Sequence, residues 1–481
     1  VKYRDLETYE GPIYVGLDAG STTSKMVWIS KDNEILLDDY RMNLGRPLEV
    51  CIDMLKTAYK KKNPKAYIAS SGICGYGEDF IKNALHVDNG EVETIAHYRA
   101  ARFFDPDVDF ILDIGGQDMK AMHIRDGVID SIQLNEACSS GCGSFLSTFA
   151  SSVSMDVEDF QKEAIKSKNP ADLGSRCTVF MNSKVKQAQK EGAEVADIAA
   201  GLCYSVIKNA IQKVIKIRNP KSLGENIVVQ GGTFYGDAIL RAFEKVSERD
   251  VTRPEIAGLM GAMGMALISK DRSTGISNLL SPADLDGFSY EQKSARCGRC
   301  SNNCALLINI FSNGSKFVTG NRCERGAGVK LDKSRDDLNM YKYKYDLLFN
   351  RKTLGDRARF GTVGIPRVLN MYEDYPFWHE FFTSLGFDII LSDKSSRDIY
   401  EKGISSISSE TACYPAKLSH GHIENLIEKN PDMIFYPAVF YAYKQYDKAQ
   451  NHMNCPVVSG YPDVIENNVE GLKDIKYLDP Y

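Results

Sequence analysis

The stretch LDIGGQDMKAMHIRDGVIDSIQLNEACSSGCGSFL, from Leu112 to Leu146, decides how the rest of the chain is interpreted. It begins, at the end of an apolar run, with the acidic and glycine-rich turn Asp113-Ile-Gly-Gly-Gln-Asp118. A strand that ends in this way presents a carboxylate and open backbone N–H groups, which suit a phosphate and its metal ion. About twenty residues later the chain reaches Cys138 in a polar turn, and an apolar stretch with helical spacing follows. The stretch therefore predicts phosphate chemistry and thiolate chemistry side by side.

Size and composition exclude several classes of protein. A chain of 481 residues is long enough for two or three domains, each with its own core. Its content of 43% hydrophobic and 26% charged residues is typical of soluble globular proteins. A net charge of −5 argues against a nucleic-acid or anionic-membrane surface. Because we find neither a long apolar run nor a signal peptide, we expect no membrane association and a cytoplasmic location.

The chain has twelve cysteines. Without a secretion signal they are better interpreted as metal ligands or core thiols than as disulfides. Three lie in apolar or small-residue settings and are predicted to fill the core: Cys51, Cys74 and Cys203. Four others are close together in the sequence: Cys297, Cys300, Cys304 and Cys323. Their C-x₂-C-x₃-C spacing with a distant fourth thiol suits Zn²⁺ or an iron–sulfur cluster, and the alternative is a compact knuckle of reduced thiols.

Three predicted strands each lead into a glycine-rich polar turn, at Asp18–Lys25, Asp113–Asp118 and Gly231–Thr233. None of the turns matches the P-loop or the dinucleotide-binding fingerprint. Their order resembles the sugar kinase–actin–chaperone ATPase superfamily, in which two halves with the same core close on ATP. The fold predicted by this resemblance is an α/β, actin-like ATPase of two halves.

The resemblance also implies a role for the residues of each turn. Asp18 and Asp113 are expected to order Mg²⁺ through water. The phosphates would be held by Gly20, Ser21, Thr22, Thr23, Gly115 and Gly116. The nucleoside would lie against Gly231, Gly232 and Thr233. Gln117 is expected to orient the attacking water, and Lys25 is either a phosphate contact or a solvated strand residue.

Cys138 and Cys177 are each predicted to lie at or just before the start of a helix, where N–H groups favour a thiolate. A [4Fe–4S] cluster takes four thiolates, and one chain offers two that match in setting. A two-fold dimer would supply all four.

Four ordered motifs, which contain Asp18, Asp113, Cys138 and Cys177, resemble the activators (archerases) of 2-hydroxyacyl-CoA dehydratases, a family that includes the ATPase components of benzoyl-CoA reductase. The resemblance covers residues 12–270. It implies a homodimer through the Cys138/Cys177 face with one bridging [4Fe–4S] cluster. It also implies a partner iron–sulfur dehydratase or reductase, and an electron donor such as ferredoxin or flavodoxin. Cys142 departs from the family pattern, and we interpret it as a silent replacement rather than an alternative ligand.

Residues 360–481 resemble the domain of unknown function that follows the ATPase in large versions of these activators. Its alternating strands and helices predict a smaller, parallel α/β domain, which we expect to be partial. Cys413, at a predicted helix start, is either a structural thiol or a second cluster ligand together with Cys455. His420 and His422 are interpreted as packing or surface residues, because positions two apart on a helix do not share a face.

The predicted domains are an ATPase and activator domain (1–272), a linker with a cysteine-rich knuckle (273–359) and the α/β domain (360–481). The predicted function is ATP-dependent, low-potential electron transfer that activates a partner enzyme. Two alternatives remain open at this point: a kinase for a sugar or carboxylate, and a non-catalytic nucleotide-dependent switch or scaffold.

Overall fold

The computed structural model describes residues 1–135, 142–175, 178–217, 220–329 and 340–481. The chain forms two compact units, Val1–Ser289 and Tyr290–Tyr481. The three domain ranges given above stay predictions. None of the helices within the described ranges is long and apolar enough to cross a membrane.

The first unit contains two sheets. Its strands are β1 (Pro12–Ala19), β2 (Thr23–Ile29), β3 (Ile35–Met42), β4 (Tyr67–Cys74), β5 (Asn89–Gly90), β6 (Phe110–Ile114), β7 (Met119–Arg125), β8 (Val128–Asn135) and β9 (Ile227–Gln230). Its helices are α1 (Pro47–Lys61), α2 (Glu78–Leu85), α3 (Glu93–Phe104), α4 (Gly143–Ser152), α5 (Val157–Ile165), α6 (Thr178–Lys190), α7 (Val195–Asn209), α8 (Asp237–Ser247), α9 (Met260–Asp271) and α10 (Pro282–Asp286).

The two sheets have the same construction. The strand orders are β3-β2-β1-β4-β5 and β8-β7-β6-β9. In each sheet an antiparallel meander of three strands is extended by a strand parallel to the first, β4 beside β1 and β9 beside β6. All five residues of β6 are buried, as is typical of a strand covered on both faces. The first unit therefore consists of two similar halves.

Helix α9 packs against the first half at backbone distance. An ideal Cβ on Gly16 of β1 would lie 1.9 Å from the carbonyl oxygen of Ala262, and one on Gly264 would lie 1.8 Å from that of Ala96 in α3. No side chain fits at either glycine, so α9 approaches β1 and α3 at backbone distance. This packing keeps β1 and α3 close together below the first turn.

Two details differ from the sequence predictions. The turn predicted at Asp18–Lys25 is shorter, because β1 and β2 pair through Asp18 and Lys25 themselves. The amphipathic spacing of residues 196–217 predicts one long helix, whereas α7 ends at Asn209 and the chain continues as one π-helical turn, Ala210–Val214. The wider turn still leaves Ile211 and Ile215 in the core.

The second unit also contains two sheets. Its strands are β10 (Tyr290–Arg296), β11 (Ala305–Phe311), β12 (Lys316–Thr319), β13 (Thr362–Ile365), β14 (Asp388–Leu391), β15 (Met433–Phe435) and β16 (Lys476–Leu478). Its helices are α11 (Met340–Phe349), α12 (Met371–Leu385), α13 (Arg397–Lys402), α14 (Tyr414–Lys429) and α15 (Pro456–Asn468). Strands β10, β11 and β12 form an antiparallel sheet that the sequence did not predict. The other sheet, β14-β13-β15-β16, is parallel, which confirms the predicted smaller α/β fold.

His422 on α14 is fully buried between two serine hydroxyls. The hydroxyl of Ser392 lies 2.8 Å from its Nδ1, and that of Ser395 lies 2.8 Å from its Nε2. A neutral imidazole satisfies both hydroxyls, because one ring nitrogen donates and the other accepts. Burial lowers the pKa of His422 from 6.5 to about 4.

This burial predicts an acid-sensitive second unit. The unfolded chain titrates His422 near its ordinary pKa, so it binds more protons than the folded chain between pH 6.5 and about 4. As the pH falls through this range, the contribution of His422 should lower the free energy of unfolding by up to about 3 kcal/mol. Urea unfolding of the wild type and of His422→Asn at several pH values measures the effect. An equally steep acid dependence in both proteins would contradict it.

Candidate nucleotide site

The three predicted turns line one open cleft of about 820 Å³ in the first unit. The predicted residues on its wall are Gly20, Ser21, Thr22, Thr23, Lys25, Asp113, Gly115, Gly116, Gln117, Gly231 and Gly232. The other two, Asp18 and Thr233, lie directly behind it and contact residues of the wall. Turns that are far apart in the sequence therefore meet at one place.

The first turn is the tight connection between β1 and β2. The N–H of Gly20 donates to the carbonyl of Thr23, 3.0 Å away, and closes the turn. Just below it, the Lys25 ammonium donates to Oδ2 of buried Asp18 at 2.9 Å. Burial lowers the pKa of Lys25, but the Asp18 carboxylate more than offsets this, so that the pKa lies above its usual value. Lys25 is thus a charged residue of the cleft wall, with a side chain only 16% exposed.

The second turn begins at Asp113, which is buried beside a histidine from α3. Nδ1 of His97 lies 2.5 Å from Oδ2 of Asp113, and Nε2 of Gln230 lies 3.1 Å from the same oxygen. Burial alone would raise the pKa of Asp113, but the positive His97 ring lowers it well below its usual range. Burial likewise lowers the pKa of His97, and the Asp113 carboxylate raises it by more. The two residues therefore form a buried ion pair.

His97 also lies next to the aspartate of the first half. An ideal Cβ on Gly261 of α9 would lie 2.6 Å from Oδ2 of Asp18 and 2.8 Å from Nε2 of His97. Glycine at this position therefore lets both side chains occupy the same small space. His97 therefore pairs with Asp113 of the second half and lies near Asp18 of the first.

A second buried cation, Lys120 on β7, lies close to the second turn. Its ammonium is 2.9 Å from Glu93 on α3 and also contacts Asp118. Burial lowers the pKa of Lys120, whereas Asp113 and then Glu93 raise it, and the result is a pKa above its usual value. The site thus combines four carboxylates, Asp18, Glu93, Asp113 and Asp118, with three cations, Lys25, His97 and Lys120.

The third turn and α4 meet at the backbone of the second turn. The carbonyl of Gly115 accepts a bond from the Thr233 hydroxyl at 3.1 Å and another from the N–H of Gly143 at 2.9 Å. The N–H of Ser144 donates to the carbonyl of Gly116 at 2.7 Å. An ideal Cβ on Gly143 would lie 2.4 Å from the Thr233 hydroxyl, so only glycine fits at the start of α4. The first residues of α4 are thereby fixed to the second turn.

Comparison with known proteins assigns this unit to a family. Residues 15–269 match the model of the BadF/BadG/BcrA/BcrD ATPase family, which is more than half of the chain. The chain belongs to the BadF/BadG/BcrA/BcrD ATPase family. It is an ATPase, and the predictions of ATPase activity and of bound ATP or ADP are confirmed. The predicted α/β fold of two halves is confirmed by the two similar sheets, and its likeness to actin stays a prediction. In the second unit, residues 362–481 match the CoA enzyme activase uncharacterised domain (DUF2229).

Several proteins of known sequence or structure resemble the ATPase. The (R)-2-hydroxyglutaryl-CoA dehydratase activating ATPase of Acidaminococcus fermentans is 30% identical over 53% of this chain and 95% of its own length. The 2-hydroxyisocaproyl-CoA dehydratase activator of Clostridioides difficile is 31% identical over 54% of this chain and 95% of its own. A solved structure of the activator of the 2-hydroxyisocaproyl-CoA dehydratase from Clostridium difficile, with bound ADPNP, is 29% identical, has a TM-score of 0.48, and covers 54% of this chain and 95% of that one. The resemblance to the dehydratase activators is thus confirmed.

The predicted cluster cysteines of this ATPase, Cys138 and Cys177, lie outside the described residues. Helix α6 begins at Thr178, directly after Cys177, and α4 begins five residues after Cys138. Cys142 is fully buried in the core of the second half, beside Phe145. This burial favours the interpretation of Cys142 as a core residue.

Four polar residues of the ATPase site were not predicted from the sequence: Glu93, His97, Lys120 and Gln230. Glu93 and His97 are four residues apart on α3, so they share one helix face, and that face also carries the buried alanines Ala96 and Ala100. Two ionisable residues on an otherwise apolar helix face were the available signal.

Replacing His97 tests whether its ion pair with Asp113 stabilises the fold and positions Asp113 for nucleotide binding. His97→Ala leaves Asp113 charged, buried and without its partner, which typically costs about 3–5 kcal/mol. We expect a free energy of unfolding lower by that order and a weaker affinity for Mg²⁺–ADP, because Asp113 is no longer fixed. Urea unfolding and calorimetric titration measure the two effects.

The matched control is His123→Ala, in the same half of the ATPase as Asp113. His123 is half-buried and its ring packs on Phe110, away from the cleft. This variant should bind Mg²⁺–ADP as the wild type does. Equal affinities in the His97→Ala variant and the wild type would show that the ion pair does not position the site.

Proposed function

We propose that this ATPase couples ATP hydrolysis to the transfer of a low-potential electron from a [4Fe–4S] cluster to a partner enzyme. One electron leaves the reduced cluster and enters an iron–sulfur centre of the partner, while ATP and water become ADP and phosphate. A ferredoxin or flavodoxin then returns one electron to the cluster. The partner proposed is a 2-hydroxyacyl-CoA dehydratase-like enzyme, because several named relatives are activators of such dehydratases.

The observation that carries the proposal is the pair of hydrogen bonds between α4 and the second turn. Gly143 and Ser144 donate to the carbonyls of Gly115 and Gly116 at 2.9 and 2.7 Å. Backbone bonds of this length do not survive a shift of the turn unless the start of α4 moves with it. The segment that contains Cys138 leads directly into α4, so a change at the phosphates is transmitted toward that cysteine.

The cleft suits a nucleotide with its hydrated magnesium ion. Oδ1 of Asp18 is buried and has no hydrogen-bond partner among the described residues, so it can accept a bond from metal-bound water. Gln117 lies on the wall, and its Oε1 accepts a bond from the Ser21 hydroxyl at 3.4 Å, which brings the first two turns together. In the proposal Gln117 orients the attacking water, and Lys25 offsets negative charge on the phosphates.

The proposed roles of the glycines follow from their places on the wall. Gly20, Gly115 and Gly116 lack a Cβ, so phosphate oxygens can approach their backbone. Gly231 has a φ of +93°, which glycine adopts easily, and its ideal Cβ would lie 2.3 Å from the carbonyl of Ile114. The third turn can therefore fold close against β6 and leave room for the nucleoside.

The proposed cluster ligands are Cys138 and Cys177 from each of two copies of the chain. In the sequence Cys177 directly precedes α6, and Cys138 comes five residues before α4. In the proposal the dipole of each helix favours the thiolate form of its cysteine. Two chains supply four thiolates, the number that a cubane cluster takes. A cluster bound there would supply the transferred electron.

Serine variants test the proposal directly. After anaerobic reconstitution, Cys138→Ser and Cys177→Ser should each lose iron and the visible absorbance of the cluster, yet bind ADPNP as the wild type does. ATP-dependent reduction of a viologen acceptor should be lost with the cluster. Cys142→Ala is the matched control and should retain both, because that side chain is buried in the core.

Other outcomes would assign a different function. Cluster absorbance that persists in both serine variants would overturn the ligand assignment. ADP release from iron-free protein that a sugar or a carboxylate accelerates would indicate a kinase. ATP binding with negligible turnover in the presence of reductant and a dehydratase would indicate a switch or scaffold.

A further inference from the structure

The second unit begins with a small sheet that neither family match covers. The ATPase match ends at residue 269 and the second match starts at residue 362. The antiparallel sheet of β10, β11 and β12 lies between these limits, and four of the twelve cysteines belong to it or to its connections. The four are Cys297, Cys300, Cys304 and Cys323.

Three of these cysteines lie at one end of the β10–β11 hairpin. Strand β10 ends at Arg296 and β11 begins at Ala305, and these two residues are directly paired. Cys297 and Cys304 are the next residues outward, and the N–H of Cys297 donates to the carbonyl of Cys304 at 2.9 Å. Cys300 lies in the loop between them. The hairpin thus brings three thiols to a single tip.

The fourth cysteine is brought to the same end by β12. This strand is antiparallel to β11 and ends at Thr319, which pairs with Leu307 near the start of β11. The next residue, Gly320, has a φ of +79°, and its ideal Cβ would lie 2.2 Å from the carbonyl of Ala305. Directly after β12, Gly320 is therefore packed against Ala305, the residue that follows Cys304. Cys323 comes three residues later.

Core packing does not account for these thiols. Cys300 and Cys323 are exposed and Cys304 is half-buried, so only Cys297 contributes to an apolar interior. By contrast, Cys51, Cys74 and Cys203 in the first unit are fully buried, as predicted for core residues. Exposed free thiols are reactive, and several at one tip are better explained as ligands.

Positive charge is concentrated around the same four residues. Four arginines lie next to or two residues from a cysteine: Arg296, Arg299, Arg322 and Arg325. Arg296 also donates to the carbonyl of Asn303 at 3.3 Å, which places a cation across the hairpin loop. Four thiolates around a metal centre carry excess negative charge, and these arginines would offset it.

The C-x₂-C-x₃-C spacing with a distant fourth thiol suits either Zn²⁺ or an iron–sulfur cluster. The electron transfer proposed for the first unit favours the iron–sulfur cluster, and this choice of metal rests on that proposed function.

We propose that Cys297, Cys300, Cys304 and Cys323 together bind an iron–sulfur cluster at the tip of the β10–β11–β12 sheet. This site is separate from the cluster proposed for Cys138 and Cys177. It needs only one chain, because all four ligands lie in the connections at one end of the same sheet. The second unit would then carry its own redox centre.

Metal analysis of the full chain tests the proposal. In a Cys138→Ser/Cys177→Ser background, which removes the other proposed cluster, anaerobic reconstitution with iron and sulfide should give about four irons and four sulfides per chain. Adding Cys300→Ser or Cys323→Ser should reduce the bound iron more than threefold. Adding Ser301→Ala, a change in the same loop that removes no thiol, should leave the iron unchanged. None of the substitutions added to the background should change its rate of ATP hydrolysis, which shows that the first unit is folded.

A second measurement uses the wild-type sheet and does not depend on the folding of the variants. In the reconstituted background protein, the four thiols should resist alkylation by iodoacetamide, and removal of iron should expose them. Cys413 and Cys455 should be alkylated equally before and after the iron is removed.

Three results would overturn the assignment. Zinc bound in place of iron after anaerobic purification would show a single-ion site. Iron that is unchanged by Cys300→Ser and Cys323→Ser would show that these residues are not ligands. Alkylation of the four thiols that is equal with and without iron would show that no metal covers them.

Discussion

The carbonyl group of Gly115 is the point on which the ATPase site depends. It accepts one hydrogen bond from the Thr233 hydroxyl of the third turn and another from the N–H of Gly143 at the start of α4. A third bond, from Ser144 to Gly116, lies beside them. One peptide group of the second turn is therefore shared by the third turn and by the helix that follows the cysteine segment. Because Gly143 has no room for a Cβ, the junction tolerates little displacement.

Charge pairing makes such a polar cleft compatible with folding. Isolated buried charges are very costly, whereas paired and hydrogen-bonded ones are tolerated. Each buried carboxylate below the turns has a cation from another element: Lys25 for Asp18, and His97 for Asp113. Glycine at position 261 leaves room for the side chains of both Asp18 and His97 beside α9.

The sequence predicted the parts of the site that are local in the chain. A strand followed by a glycine-rich acidic turn is visible within ten residues, and the order of three such turns predicted two halves around one cleft. Gln230 was missed because its role depends on β9 lying parallel to β6, a pairing between residues more than a hundred positions apart. His97 was missed because helical periodicity indicates which face is buried but not what that face meets.

The small sheet of the second unit shows a different limit. Strand β10 is almost entirely exposed, so it has no alternation of apolar and polar residues by which a strand is recognised. The cysteine spacing predicted a metal site there, but only the strand pairing places Cys323 at the same tip as the other three thiols. For Cys138 and Cys177 in the first unit, the surroundings are predicted from the sequence alone, because both residues lie outside the described ranges.

In the proposed coupling, the phosphate state of the nucleotide is transmitted to the start of α4. Hydrogen–deuterium exchange at the amides of Gly143 and Ser144, compared between the ADPNP and ADP complexes, measures this transmission. Their exchange rates should change together with those of the second turn, because these amides donate to its carbonyls. Exchange that changes at Gly116 and Gln117 but stays identical at Gly143 and Ser144 would show that the turn and the helix are not coupled.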